Sequence, residues 1–356
     1  MAAQDDVKWK RMAGDLRDRI DRLQERMDRV HRSVLDKDVL HDLLPLRAAT
    51  LARRSALPEA RERERRFAGM SSAYAAALEE GGTSTRDIRR ITLDGLTWSV
   101  PLVRPDDAAQ VERAIGHQDF PYRVIAQTRE VAIGGIMIDI GANVGRMSIP
   151  RVILGDVALA YCAEPDPLNH ACLTRNVLDN HLGGLVLPDR VAIGAETGTV
   201  RFERSNTAGG HRVIGADTVS TRETIEVPIV TLDGFVDRFG IDLDQVNFVK
   251  VDVQGLEVHV LRGASRVLAR RHVAWQMEVD PHWLRSARSS LAELVGMLRG
   301  SFTHFVDLNR HAVGRRVRPI AELGEALGYL AGPPEGRTDI LVCTLATRGH
   351  HEARPA

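Results

Sequence analysis

The sequence predicts an α/β protein built on a doubly wound, mostly parallel sheet and preceded by a helical extension. Three observations carry this. Ile136-Met137-Ile138-Asp139-Ile140 is a short apolar run, followed at once by Gly141-Ala142-Asn143-Val144-Gly145 and then by Met147, Ile149 and Val152 at helical spacing. A strand buried on both faces, a small-residue turn and a helix form the opening unit of such a sheet, whose ligands bind at the C-terminal edge. Beyond this unit, strand-like and helix-like segments alternate up to Leu345. Before it, Trp9, Ala13, Leu16, Ile20, Leu23, Met27, Val30 and Val34 alternate steps of four and three residues, the a/d seam of an amphipathic helix.

Composition narrows the function classes. The 356 residues have a formal net charge of zero, so no overall basic field marks a nucleic-acid binder. No apolar run approaches the ~20 residues needed to span a bilayer, and the N-terminus is charged. Cys162, Cys172 and Cys343 fit neither a disulfide framework nor a zinc pattern, so a reducing, cytoplasmic location is expected. Lysine occurs only at Lys8, Lys10, Lys37 and Lys250; the other 44 of the 48 basic residues are arginine.

The helical extension is expected over residues 1–84, with the seam at 9–34 serving either as a dimerising coiled coil or as a helix packed on its own domain. Asp18 with Arg22 and Glu25 with Arg29 are spaced to support the helix. Pro45 should end or kink it, and 48–78 reads as further helix interrupted at Pro58, before a Gly-Gly-Thr-Ser linker at 81–84. Residues 85–135 hold a hairpin, Ile91–Leu93 and Leu96–Val100 about an Asp94-Gly95 type I′ turn, and a segment leading into the core.

The main domain is expected over 136–347 and a frayed tail over 348–356. Its second strand is Val157–Ala163, and Pro167–Asn180 is a helix. Leu185–Leu187 with Arg190–Ile193 forms the third strand. Thr199–Glu203 and Ile225–Val230 bracket a polar insertion, Val246–Asp252 is the fourth strand, Glu257–Ala269 a helix and Val273–Glu278 the fifth strand. Thr303–Asp307 and Asp339–Leu345 finish the sheet.

Carboxylates mark the expected crevice. Glu164 ends the second strand about twenty residues past the glycine turn, where an acid can accept hydrogen bonds from ribose hydroxyls. Asp139 lies at the end of the first strand; a carboxylate ahead of the turn suits a ligand bearing an amine. Asn143 stands where a dinucleotide fingerprint has its central glycine, which disfavours a nicotinamide-dependent oxidoreductase. Lys250 and Asp252 share one side of the fourth strand. Asp252 and Glu278 both end strands at the crevice, where either suits a cofactor, a metal or a substrate hydroxyl.

Four blocks in order, Asp139-Ile140-Gly141-Ala142-Asn143-Val144-Gly145, Glu164-Pro165, Thr231-Leu232-Asp233 and Val249-Lys250-Val251-Asp252-Val253-Gln254-Gly255-Leu256-Glu257 followed by Gly263-Ala264, make residues 136–280 resemble the FkbM family of S-adenosylmethionine-dependent methyltransferases. The resemblance implies a Rossmann-like class I methyltransferase sheet ending in an antiparallel hairpin, and O-methylation of a hydroxyl on a sugar, glycan or secondary metabolite. It implies that Asp139, Gly141, Asn143 and Gly145 surround the methionine moiety of S-adenosylmethionine, that Glu164 takes the ribose, that Arg190, Val191 and Ala192 lie along the adenine, and that Asp252 flanks the sulfonium and the acceptor. An unactivated hydroxyl needs a base within reach; Lys250, Asp252, His211 and His282 are the candidates. Whether a divalent metal takes part stays open, with Asp252, Glu278, Asp280 and His282 as the residues that could hold one. One departure stands out: Gln254 occupies a position where the family usually has glutamate. That departure keeps a second alternative in view, a non-catalytic protein that binds partners through its N-terminal helix. The expected partners are a small-molecule or glycan acceptor and a second copy of the chain through that helix, with no nucleic acid.

Overall fold

The computed structural model describes residues 22–23, 25, 88–93, 96–101, 120–205, 210–215, 218–309, 317–332 and 336–345. In chain order its strands are β1 (Ile88–Leu93), β2 (Leu96–Pro101), β3 (Ile136–Ile140), β4 (Leu159–Ala163), β5 (Val186–Asp189), β6 (Ala192–Gly194), β7 (Gly198–Glu203), β8 (Arg212–Ile214), β9 (Thr224–Thr231), β10 (Val246–Val251), β11 (Ala274–Val279), β12 (His304–Asp307), β13 (Arg318–Pro319) and β14 (Thr338–Cys343). Its α-helices are α1 (Phe120–Ala132), α2 (Ser148–Ile153), α3 (Pro167–Asp179), α4 (Leu232–Phe239), α5 (Glu257–Arg262), α6 (Ser265–Leu268), α7 (Pro281–Ser286), α8 (Leu291–Ser301) and α9 (Leu323–Ala326).

The main sheet runs β13-β12-β14-β11-β10-β3-β4-β5. Pairs from β5 through β11 are parallel, and β14 inserts antiparallel between β11 and β12. From β3 the chain winds outward through β4 to β5, then returns to place β10 on the other side of β3. This reversal is the topological switch point, and it opens a crevice at the C-terminal ends of β3 and β10. It is the mostly parallel, antiparallel-edged sheet that the sequence predicts.

Alternation along the strands splits the core into two layers. Ile136, Ile138 and Ile140 of β3 join Val249, Val251, Trp275 and Met277 in a cluster covered by α4, α5 and α8. Met137, Ala160, Cys162, Phe248 and Ala274 face the other way, into a cluster with side chains of α1, α2, α3 and the hairpin. On that second face register aligns Gln276, Lys250, Asp139 and Cys162 in one row across β11, β10, β3 and β4. A polar row inside a buried face is costly unless its members satisfy one another, and it lies directly beneath the crevice.

The hairpin β1–β2 pairs Leu93 with Leu96, in the expected position, though its turn residues lie outside the described residues. Asn176 of α3 and Asn180, which caps that helix, attach it. Asn176 takes the Ser99 N–H and donates to the Ser99 carbonyl, while Asn180 does the same for Thr97. Asn176 also donates to the Val144 carbonyl at 2.9 Å, so one amide joins the hairpin to the glycine turn.

Three expectations need correcting. Val186–Asp189 and Ala192–Gly194 are two strands rather than one: β6 leaves the main sheet and joins β9, β7 and β8 in a second, four-stranded sheet. The polar insertion is thus part of a sheet, with β7 and β9 antiparallel. The helix from Glu257 breaks into α5 and α6 at Gly263, where a Cβ would lie 2.1 Å from the Gly194 carbonyl oxygen. The segment leading into the core contains α1, whose Tyr122, Val124 and Ile125 are buried. Most of the seam at 9–34, the linker and the tail lie outside the described residues. Of the seam, Leu23 is described, and it is fully buried in the same cluster as Leu96 and Trp98. Among the described residues no helix is long and apolar enough to cross a membrane.

Candidate active site

The turn after β3 is built by close backbone approach. The Gly141 and Ala142 N–H groups both donate to the Ala163 carbonyl, at 2.9 and 3.1 Å. Gly141 has φ 74°, and a Cβ there would sit 1.9 Å from the Asp252 carbonyl oxygen. Glycine is therefore required twice, for conformation and for space. Asn143 takes φ 52°, a left-handed value that asparagine tolerates better than most residues. Its N–H donates to Glu164 Oε2 at 2.8 Å, and Glu164 Oε1 accepts from the Asp166 N–H at 2.9 Å. Burial pushes the Glu164 carboxyl up, the Asp166 carboxylate adds to that, and the two N–H groups offset only part, leaving it at about 8. The structure thus joins the turn and Glu164 directly, as their spacing suggests.

Lys250 occupies the centre of the switch point. Its Nζ donates to the Gly141 carbonyl at 2.7 Å and lies 3.3 Å from Asp139 Oδ1 and 3.4 Å from Asp252 Oδ2. Burial works to remove the proton, but the two carboxylates outweigh it, so the pKa lies above the ordinary lysine value. Lys250 is accordingly held as an ammonium rather than as the neutral amine that the expected role of base requires. Asp139 is fully buried beneath it, whereas the Asp252 side chain is 37% exposed and faces the crevice.

Asp252 is also held from the other side. Gln254 Nε2 donates to Asp252 Oδ1 at 3.0 Å and to Glu278 Oε2 at 2.7 Å. Glu278 stands opposite Asp339 in the β11–β14 register, and Gln276 Nε2 donates to Asp339 Oδ1. Arg337 Nη1 lies 3.6 Å from Glu278 Oε1. Burial raises Glu278, the Asp252 and Asp339 carboxylates raise it further, and Arg337 offsets part, giving about 9. Burial and then Asp252 raise Asp339 to about 6. Glu257, pushed up to about 7 mainly by burial, accepts the Val253 and Gly255 N–H groups and so shapes the turn after β10.

The Glu278 shift has a consequence for stability. A carboxyl whose folded value exceeds its unfolded value binds more protons in the native state, so its contribution is fully present below about 4.5 and is lost as pH rises toward 9. Glu278→Gln removes this dependence. The stability of the variant minus that of the wild type should therefore increase between pH 5 and pH 9, by an amount of order a few kcal/mol. Urea denaturation at several pH values measures it, and a constant difference would show that Glu278 titrates normally.

Other candidates lie farther from this cluster. His211 accepts the Ser205 N–H at Nδ1, and its Nε2 is 4.0 Å from Asp166 Oδ2. Burial and Arg204 lower its pKa despite Asp166 and Glu223. It thus sits on the Glu164 side, with no contact to Lys250 or Asp252 among the described residues. Val191 and Ala192 are buried just beyond β5. Asp280 caps α7, accepting the His282 and Trp283 N–H groups. Among the described residues no group of three or more His, Cys, Asp or Glu is arranged to hold a metal ion.

Sequence reasoning missed the second sheet's attachments. Arg204 Nε donates to Asp166 Oδ2 at 2.9 Å, and the Arg212 guanidinium lies 4.8 Å from the centre of the Trp283 ring. One arginine reaches the loop after Glu164 and the other the helix after Glu278, so the second sheet contacts both flanks of the crevice. Only the acid pair Glu164 and Asp166 gave any local signal of this.

The strand order, the switch-point turn and the strand-end carboxylate define a class I methyltransferase type of α/β fold. Residues 139–307 match the family model described as the methyltransferase FkbM domain, and over that stretch the chain is similar to the FkbM methyltransferases. Among its relatives is the hexuronic acid methyltransferase AglP of Haloferax volcanii, 28% identical over 153 residues. That match covers 43% of this chain and 58% of the relative, so it spans little more than half of that protein. Another is the 31-O-demethyl-FK506 methyltransferase FkbM of Streptomyces tacrolimicus, 25% identical over 256 residues, covering 61% of this chain and 94% of the relative. Similar solved structures include P. horikoshii TYW2 in complex with MeSAdo, at 11% identity, TM-score 0.36 and coverage of 76% and 82% of the two chains. The precorrin-6y C5,15-methyltransferase of Geobacter metallireducens shows 10% identity, TM-score 0.34 and coverage of 63% and 88%.

Proposed function

We propose that the protein is an S-adenosylmethionine-dependent O-methyltransferase whose acceptor is a hydroxyl of a sugar, glycan or secondary metabolite. The observation that carries this is Glu164, a buried strand-end carboxylate hydrogen-bonded to the Asn143 N–H of the switch-point turn, within the matched FkbM domain. The cofactor's groups fit the residues present. Gly141 and Gly145 keep the turn clear of side chains, Glu164 suits ribose hydroxyls, and Val191 and Ala192 offer an apolar wall to adenine. When bound, S-adenosylmethionine supplies a methyl group on a positively charged sulfur.

This chain's residues do the remainder. Asp252 is the exposed carboxylate at the switch point, and it accepts the proton of the acceptor hydroxyl. Lys250 and Gln254 fix its two oxygens, so alignment is built in before the acceptor arrives. The relatives' names, one for a hexuronic acid and one for a 31-O-demethyl compound, support an oxygen acceptor.

S-adenosylmethionine and S-adenosylhomocysteine should each raise the melting temperature, and NAD should not. Stabilisation by NAD alone would end this reading. Glu164→Ala should weaken S-adenosylmethionine by ~1–3 kcal/mol in calorimetry, the scale of leaving buried hydrogen-bonding groups without their partner. Unchanged affinity would remove Glu164 from the ribose.

A further inference from the structure

Gln254 is the residue that departs from the family pattern, and the structure gives it a specific job. It follows Asp252 in the turn after β10 with φ 53°, a left-handed conformation unusual for a residue of its size. The next residue, Gly255, has φ 104°, and a Cβ there would lie 2.2 Å from the Trp283 carbonyl oxygen. The turn is therefore pressed against α7 and cannot relax outward. Backbone held in this way is strained and persists where surrounding structure enforces it, often at functional sites.

The enforced conformation aims one side-chain nitrogen at two carboxylates at the ends of two parallel strands, Asp252 just past β10 and Glu278 on β11. An amide carries two N–H donors and no charge, so it satisfies both acids without adding another. An ionised glutamate in the same place has only acceptors and would repel both. The charges around the pair are otherwise unbalanced: Asp139 and Lys250 from the strands beneath, Asp339 from β14 with Arg337 just before it, and Glu257 from α5.

We propose that Gln254 is a positioning residue that locks Asp252 and Glu278 into one pair on the acceptor side of the crevice. Lys250 already holds Asp252 Oδ2 and Gln254 holds Oδ1, so the carboxylate presents its remaining lone pairs in one direction. Glu278, anchored to the same nitrogen, becomes the neighbour that an acceptor's second polar group meets. The glutamine is then a working alternative to glutamate rather than a mark of lost function. The inference rests on Asp252 as the proton acceptor proposed above.

The test uses the full chain with ¹³C-labelled side-chain carboxyls and two variants. Gln254→Met keeps the length and removes the donors; Gln254→Glu replaces them with a third acid. The Glu278 carboxyl resonance is assigned by its loss in Glu278→Gln and followed by NMR from pH 5 to pH 10. In both variants its midpoint should rise by at least ~0.5 pH unit, because a hydrogen bond to its charged form has gone, and the Asp252 carboxyl resonance should shift as well. In Gln254→Met a merely space-filling Gln254 would move neither, whereas the added charge of Gln254→Glu raises the midpoint in either case. A Glu278 midpoint equal to wild type in folded Gln254→Met would overturn the proposal; should that variant fail to fold, Gln254→Leu, which also lacks the donors, decides. S-adenosylmethionine affinity, measured in parallel, separates the two levels. A wild type that binds none would end the cofactor reading, while the titration would still judge the Gln254 clamp.

Discussion

Lys250→Met is expected to destabilise the ligand-free protein by about 3–5 kcal/mol, the cost of leaving a buried charge without its partner. The methionine fills most of the lysine's volume, so a cavity is not the cause. Asp139 is. It is fully buried, its ion-pair partner is Lys250, and among the described residues Oδ2 has no hydrogen-bond partner of its own. The double variant Lys250→Met with Asp139→Asn should recover much of the loss, since removing both charges of a buried pair is often tolerated. Lys250→Arg should not substitute. A guanidinium is planar and wider than an ammonium, and Nζ sits among three oxygens within 3.4 Å. This explains a lone lysine in a domain whose other basic residues are arginine or histidine. Chemical denaturation checks the set, and a Lys250→Met variant within 1 kcal/mol (roughly the size of an ordinary hydrogen bond) of wild type would mean the pair is not what holds the strands' ends.

Gly141→Ala should abolish tight cofactor binding, with a loss of at least ~100-fold, the scale of an ångström-sized misplacement at a reacting centre. The new methyl would overlap the Asp252 carbonyl, a backbone atom that moves only if β10 moves. The Asp252 N–H donates to the Ile140 carbonyl at 3.1 Å, so the two strand ends are bonded as well as touching. A positive φ adds about 1–3 kcal/mol of strain for a residue with a Cβ. Gly198→Ala is the control: a Cβ there meets nothing within 4 Å, and its melting temperature and affinity should match wild type. Equal affinities for the two variants in calorimetry would show that the turn tolerates displacement.

Much of this centre was legible because it is local. The apolar run of β3, the glycines after it, Glu164 at its spacing and the Lys250–Glu257 block each announce themselves within a few residues. What escaped depends on long-range pairing. Ala192–Gly194 looks like a continuation of the preceding strand, and only its pairing with Thr231 and its neighbours places it in another sheet. Asp339 reads as an ordinary strand residue until β14 inserts beside β11 and sets it against Glu278. The break at Gly263 is equally invisible, because the atom that forbids a side chain there belongs to Gly194. Lys250 was recognisable as unusual from lysine scarcity alone, but its charge follows from two carboxylates whose combined effect no spacing reveals.

The contact between Gly141 and the Asp252 carbonyl oxygen also bears on how such an enzyme can be diversified. On the proposed function, the turn assigned to the methyl donor and the residue assigned to the acceptor share a backbone contact, so neither can be remodelled without disturbing the other. Freedom to accept a new molecule lies instead in the second sheet and α7, which reach the crevice through Arg204, Arg212 and Trp283. A library that exchanges residues 205–223 while leaving 139–147 and 249–257 untouched would vary what is methylated and conserve the chemistry of methylation.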